Sequence, residues 1–163
     1  MRKRITILAA LLAAAVAGSA LAAGTGQKVR VVSTVKNAAL GETVLVNTKG
    51  RTLYSLSVER KGKFICTDKT CLSFWHPLVV KAGVTPTGAK SLATVRRPDG
   101  RRQVTYKGGP LYTFSGDSRR TDAKGEGFKD VGVWHAATVG ASAPPPATTT
   151  TTGGGYGYGY GYG

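Results

Sequence analysis

Lys49-Gly50-Arg51-Thr52-Leu53-Tyr54-Ser55-Leu56 is matched, later in the chain, by Lys107-Gly108-Gly109-Pro110-Leu111-Tyr112-Thr113-Phe114. A second landmark follows each stretch: Trp75-His76 with Val80, then Trp134-His135 with Val139. Each half reads K-G-x-x-L-Y-x-[L/F] and later W-H-x-x-x-V. Two landmarks in the same order at nearly the same offset predict a tandem pair of one supersecondary unit, about residues 40–82 and 94–140.

The local signals within these units are those of strands. Val44-Leu45-Val46, the turn Asn47-Thr48-Lys49-Gly50 and Thr52–Leu56 read as strand, turn, strand. Thr94-Val95-Arg96, then Arg97-Pro98-Asp99-Gly100, then Gln103–Tyr106 repeats the form. Pro98 presets φ and Gly100 supplies a positive φ, which gives this turn a mechanism. Lys107-Gly108-Gly109-Pro110 is a further tight turn into Leu111–Phe114, where Leu111 and Thr113 face one side and Tyr112 and Phe114 the other. No stretch after residue 23 sustains helical periodicity. The expected fold is all-β, a small antiparallel sandwich or partly closed barrel built from two tandem repeats.

The ends of the chain are of different composition. Arg2, Lys3 and Arg4, the apolar run Ile5–Ala17 and the Ala20-Leu21-Ala22 site make residues 1–22 a secretory signal peptide cut after Ala22. The rival reading is an uncleaved transmembrane anchor; the apolar run is short of the roughly 20 residues that a spanning helix needs and becomes marginal when stretched to Ala23. With cleavage, no transmembrane span is expected. Residues 23–140 form the two-repeat domain. Residues 141–152 are a Pro/Thr linker, and 153–163 contain Gly and Tyr only. Neither segment has the apolar content to offset ordering entropy, so a disordered C-terminal tail is expected. Its spaced rings suit stacking on polymers or on like tails.

Charge narrows the partners. The chain carries 23 Lys+Arg against 8 Asp+Glu, a net +15. Removing residues 1–22 takes three cations and no anions, leaving about +12. Such an excess attracts polyanions by counterion release; beyond the cytoplasm these are wall polymers, head groups, acidic polysaccharides and extracellular DNA. The cations are scattered, with no block typical of a specific nucleic-acid arm. Cys66 and Cys71 are the whole cysteine inventory. In an exported protein, so close a pair reads as one disulfide, a structural staple worth on the order of 2 kcal/mol. The C-x-x-C spacing of a redox pair is absent.

Gly50–Tyr54, Trp75 with Pro77-Leu78, Asp99-Gly100 and Gln103-Val104-Thr105-Tyr106-x-Gly108-x-Pro110-Leu111-Tyr112-x-Phe114 together resemble a bacterial secreted or lipoprotein repeat family of unknown function. That family is known for a Y-x-[aromatic]-x-x-D motif, and the resemblance covers roughly residues 40–139. It implies an exported protein and leaves activity open. Tyr112, Phe114 and Asp117 fit the motif in full. The first copy carries Leu56 in place of the aromatic and Glu59 in place of Asp, which puts in doubt any function needing both copies. The Cys-x-x-x-Cys loop of the family is one residue longer here, and its lipid-attachment Cys is missing.

Tyr112, Phe114 and Asp117, with Tyr54 from the first copy, are the candidate ligand-binding residues. An aromatic pair beside a carboxylate suits stacking on a sugar or a cation. The competing reading packs Tyr112 in the core and has Asp117 cap the loop Ser118–Lys124. His76 and His135 lack the further ligands zinc needs. Asp117, Asp122, Glu126 and Asp130 share one loop without calcium-site spacing. No metal and no cofactor is expected. There is no nucleophile elbow, and a carboxylate pair suited to a glycosidase cannot be read from spacing, so no catalytic residue is assigned. The expectation is a secreted or envelope protein, not an enzyme, that associates with anionic polymers. Two alternatives stand beside it, a carbohydrate or small-ligand module using Tyr112 and Phe114, and an uncharacterised enzyme. Oligomeric state is left open.

Overall fold

The computed structural model describes residues 26–60 and 62–140. The segments expected as signal peptide (1–22), linker (141–152) and tail (153–163) lie outside the described residues. The described residues contain β1 (Gln27–Arg30), β2 (Val32–Asn37), β3 (Glu42–Asn47), β4 (Tyr54–Leu56), α1 (Lys69–Phe74), β5 (Trp75–Pro77), β6 (Val79–Val80) and β7 (Val84–Thr87). They are followed by β8 (Leu92–Arg96), β9 (Arg102–Tyr106), β10 (Gly109–Pro110), β11 (Tyr112–Phe114) and β12 (Trp134–Ala136).

Two hairpins open the two halves. β2 pairs with β3 from Val32↔Asn47 to Asn37↔Glu42, and β8 pairs with β9 from Leu92↔Tyr106 to Arg96↔Arg102. The second hairpin turns at Pro98-Asp99-Gly100, where Gly100 takes φ +84° and donates to the Arg97 carbonyl at 2.9 Å. The first begins at Val32, upstream of residue 40, where the sequence reading starts the unit. Val29, Val31, Val32 and Val35 carry that signal only weakly, because polar residues interrupt them.

After each hairpin the chain folds back only briefly, β10 pairing with β9 at Gly109↔Tyr106 and Pro110↔Thr105. Thr52 bridges Val46, but β4 then leaves β3 and joins a four-stranded sheet in the order β12-β4-β11-β5. The expected hairpin of Val44–Val46 with Thr52–Leu56 therefore stops at its first rung. Long-range pairing takes over, because Tyr54 and Leu56 have apolar side chains to bury against the Trp strands. Tyr54 sits opposite Tyr112 at the centre. β5 pairs with β11, and β12 pairs with β4, so each Trp-His strand lies beside the Tyr strand of the other half.

Three-way backbone junctions tie the strands together. Leu45 N–H donates to Ala137, Ala137 to Leu53 and Leu53 to Leu45, at 2.8, 2.8 and 2.9 Å. Val104 likewise donates to Leu78, Leu78 to Leu111 and Leu111 to Val104, at 2.8, 2.9 and 2.9 Å. The chain is mostly strand, as expected, and its sheets do not close into a barrel. Two features depart from an all-antiparallel fold. β1 pairs with β7 in parallel, and a six-residue helix, α1, precedes Trp75, capped by the Asp68 carboxylate accepting from Cys71 N–H.

Tyr54 and Tyr112 and the residues just before their strands, Leu53 and Leu111, are all fully buried, and this produces two cores. One contains Val44, Val46, Tyr54, Leu56, Cys66, Trp75, Tyr112, Trp134 and Ala136. The other contains Val32, Leu45, Leu53, Val104, Leu111 and Ala137. Alternation along Leu53-Tyr54 and Leu111-Tyr112 sends neighbouring residues into different cores.

Candidate functional site

The four residues singled out from the sequence meet around the central pair of the β12-β4-β11-β5 sheet. Tyr54 and Tyr112 are 0% exposed. The Tyr54 hydroxyl donates to Asp117 Oδ2 at 2.8 Å, and the Tyr112 hydroxyl donates to Glu59 Oε2 at 2.7 Å. Glu59 follows the strand of Tyr54, and Asp117 follows the strand of Tyr112. Each phenol is thus held by the carboxylate that comes after the other one.

The remaining carboxylate oxygens bind backbone. Glu59 Oε1 accepts from the Ile65 and Cys66 N–H groups at 2.6 and 2.7 Å. Asp117 Oδ1 accepts from Lys124 N–H at 3.0 Å and so closes the loop after β11. The start of that loop is held instead by Asp122, which accepts from Ser118 and Arg119 N–H.

Arg97 completes one side of the network. Its Nη1 donates to the Tyr112 hydroxyl at 3.0 Å and to Gln103 Oε1, and its Nη2 donates to the Cys66 carbonyl at 2.7 Å. Gln103 passes its own amide to the Leu111 carbonyl at 2.7 Å. On the other side Asn37, at the end of the first hairpin as Arg97 is at the end of the second, donates to the Thr121 carbonyl at 2.7 Å. Arg97 is 3% exposed and Asn37 1%.

The electrostatics follow from burial. Desolvation pushes both phenols well above their usual range, and the carboxylates of Asp117 and Glu59 add to that shift. Burial also raises Asp117, against hydrogen bonds from Tyr54 and Lys124 that lower it. The phenols are therefore held as neutral donors to carboxylates. Among the described residues the only buried side-chain nitrogen or oxygen with no partner is Trp134 Nε1. A network this completely satisfied fixes a unique packing. It also leaves Tyr54 and Tyr112 no open face on which a sugar or a cation could stack. The candidate ligand-binding role of these two residues meets that obstacle directly.

Aromatic rings line the same core. Trp75 and Trp134 stack at 3.8 Å, and Phe114, half-buried, lies 4.5 Å from Trp75. Phe128 meets Trp75 edge-on at 5.9 Å while remaining 46% exposed. Gly125 stands against these rings, since a Cβ there would come within 2.8 Å of Trp75 and 3.1 Å of Tyr54.

The other candidates are dispersed. His76 is exposed on β5, and His135 lies on β12 at the opposite edge of the sheet, its Nδ1 2.9 Å from Glu126 Oε1. Asp122 holds the loop turn, and Glu126 accepts from Ala136 N–H at 2.6 Å. Among the described residues no three His, Cys, Asp or Glu side chains are grouped to hold a metal. Cys66 and Cys71 form a disulfide with Cα atoms 5.4 Å apart. A shallow groove of about 380 Å³ runs along Val84–Pro86, Leu92–Thr94 and Arg102, and none of Tyr54, Tyr112, Phe114 or Asp117 lines it.

Sequence reasoning did not reach Arg97, Gln103 or Asn37. Gln103 stands between Arg102 and Val104, so the local pattern gives no signal that its side chain is buried. Arg97 was hidden among surface arginines.

These features define a strand-built domain whose polar interior braces the fold. The sequence model of a family described as a secreted repeat of unknown function matches residues 93–138. The matched stretch runs from β8 through β12 and includes Arg97, Tyr112, Asp117 and Trp134. The family is described as secreted, which supports a place outside the cytoplasm. No curated protein and no solved structure matches the chain.

Proposed function

We propose that this is an exported, non-catalytic protein whose basic domain associates with anionic polymers of the cell envelope or its surroundings. One observation carries the reading: the charge excess sits on the surface. The chain has 23 Lys+Arg and 8 Asp+Glu. Among the described residues Arg97 is the one fully buried cation, whereas two of the eight carboxylates, Glu59 and Asp117, are buried. Folding therefore withdraws more negative than positive charge from solvent, and the exterior is more basic than composition suggests. Counterion release then favours polyanions in a salt-dependent way.

In the same reading the domain is two copies of one unit that have exchanged their Trp strands. The paired hairpins, the two backbone junctions and the crossed Tyr–carboxylate bonds support it. The test of function is sedimentation of mature protein with isolated envelopes at low and high salt. Release by salt is expected; sedimentation indifferent to salt counts against polyanion binding.

A further inference from the structure

We propose that the turn Asn47–Arg51 and the loop Asp117–Lys124 together form a defined binding surface for a phosphate polymer, with Lys49, Arg51, Arg119, Arg120 and Lys124 as its cations. This rests on the polyanion reading above and assigns it a location and a chemical class.

The two segments are far apart in sequence and are fastened to each other. Thr121 N–H donates to the Gly50 carbonyl at 3.0 Å, and Thr52 Oγ1 donates to the Asp122 carbonyl at 2.6 Å. Arg51 Nη1 donates to the Asp117 and Arg119 carbonyls. Arg120 lays its guanidinium on Gly50, where a Cβ would come within 2.8 Å of Arg120 Cζ. Gly50 is buried beneath that side chain and takes φ +78°, a conformation that costs glycine little. The cations are thus held on a braced platform.

The local anion is already occupied. Asp122 accepts from two backbone N–H groups and lies 3.6 Å from Lys124 Nζ. Those backbone bonds, led by Arg119 N–H, hold its carboxyl below the usual range. No carboxylate lies within ion-pair reach of Lys49, Arg51, Arg119 or Arg120 among the described residues. The equivalent turn of the other half has no such cover, since a Cβ at Gly108 would meet nothing within 4 Å. The platform is therefore one-sided, a local feature in an otherwise duplicated arrangement of turns. Arg51 spends its Nη1 on the loop carbonyls, whereas Arg119 and Arg120 bring planar guanidinium forks of the kind that pair two oxygens of one phosphate group.

The experiment measures binding of mature full-length protein to long-chain polyphosphate across a salt series, with hyaluronate as a carboxylate polymer of similar length. R119Q/R120Q is compared with K81Q/K90Q, which removes the same charge from exposed sites elsewhere, and thermal melts verify that both variants are folded. R119Q/R120Q is expected to lose at least about tenfold in affinity. Each lost phosphate contact should also flatten the salt slope by roughly 0.7–0.9. K81Q/K90Q should stay within about twofold. Equal losses in the two variants overturn the localised surface while leaving polyanion binding intact. Tighter binding of hyaluronate than of polyphosphate overturns the phosphate assignment. If wild type binds neither polymer at low salt, the functional reading itself fails.

Discussion

Trp75 and Trp134 stack with ring centroids 3.8 Å apart and planes within 6° of parallel, and each is met edge-on by one tyrosine. Tyr54 approaches Trp75 at 5.5 Å and 75°, and Tyr112 approaches Trp134 at 5.1 Å and 88°. The four rings make one block that spans both halves of the domain. Such rings bring large buried area and a favourable edge-to-face geometry.

Trp134→Ala should therefore destabilise the protein by about 3–5 kcal/mol, the usual cost of deleting a buried large aromatic. The urea midpoint should fall with little change in slope, because the rest of the surface buried on folding is retained. A loss below about 1 kcal/mol would mean that the stack is not part of the cooperative core.

Tyr112→Phe keeps the ring and removes the donor to Glu59 together with the hydroxyl that accepts from Arg97. The Glu59 carboxylate then stays buried with one oxygen unpaired, which costs about 1–3 kcal/mol. A double-mutant cycle with Glu59→Gln should give a coupling energy between about 0.5 and 3 kcal/mol, as for directly bonded partners. Tyr54→Phe with Asp117→Asn should behave in the same way. Additive effects in either cycle would show that the crossed bonds contribute nothing to stability.

Alkaline titration tests the same groups by another route. Both phenols have folded-state values raised above the ordinary tyrosine value of 10.0, which they take in the unfolded chain. Their contribution to stability is full below about pH 10 and is lost as pH rises toward the folded values. Two of the seven tyrosines should ionise only together with unfolding, so part of the absorbance rise at 295 nm should coincide with loss of circular dichroism. The Tyr54→Phe/Tyr112→Phe variant should lose that shared step. Ionisation of every tyrosine while the fold persists would contradict the burial.

Much of the strand content was legible in the sequence, because turn chemistry is local. Pro98-Asp99-Gly100 specifies its turn by residue type, and alternation at Leu111-Tyr112 gives the two faces. Trp75 and Trp134 are buried as large aromatics in strands tend to be. The partner of β4 was not legible. Val44–Val46 and Thr52–Leu56 look like a hairpin in isolation, and only burial of Tyr54 and Leu56 against residues near the end of the domain draws β4 away. The parallel pairing of β1 with β7 is non-local for the same reason. The polar interior was half legible. The carboxylates stand at a fixed distance after each tyrosine, but spacing does not reveal that each serves the other's phenol. Arg97 was invisible, since nothing local separates it from Arg96 or Arg101.

The crossed bonding between Tyr54, Asp117, Tyr112 and Glu59 has a consequence for how the chain can be divided. A fragment ending near Gly88 would keep Glu59 without its donor, and the complementary fragment would strand Asp117. Neither piece is self-sufficient, yet mixed together they would supply each other's missing groups. Two intact chains opened at the β7–β8 connection could trade their C-terminal parts and preserve every one of these contacts, giving a closed symmetric dimer by exchange of identical elements.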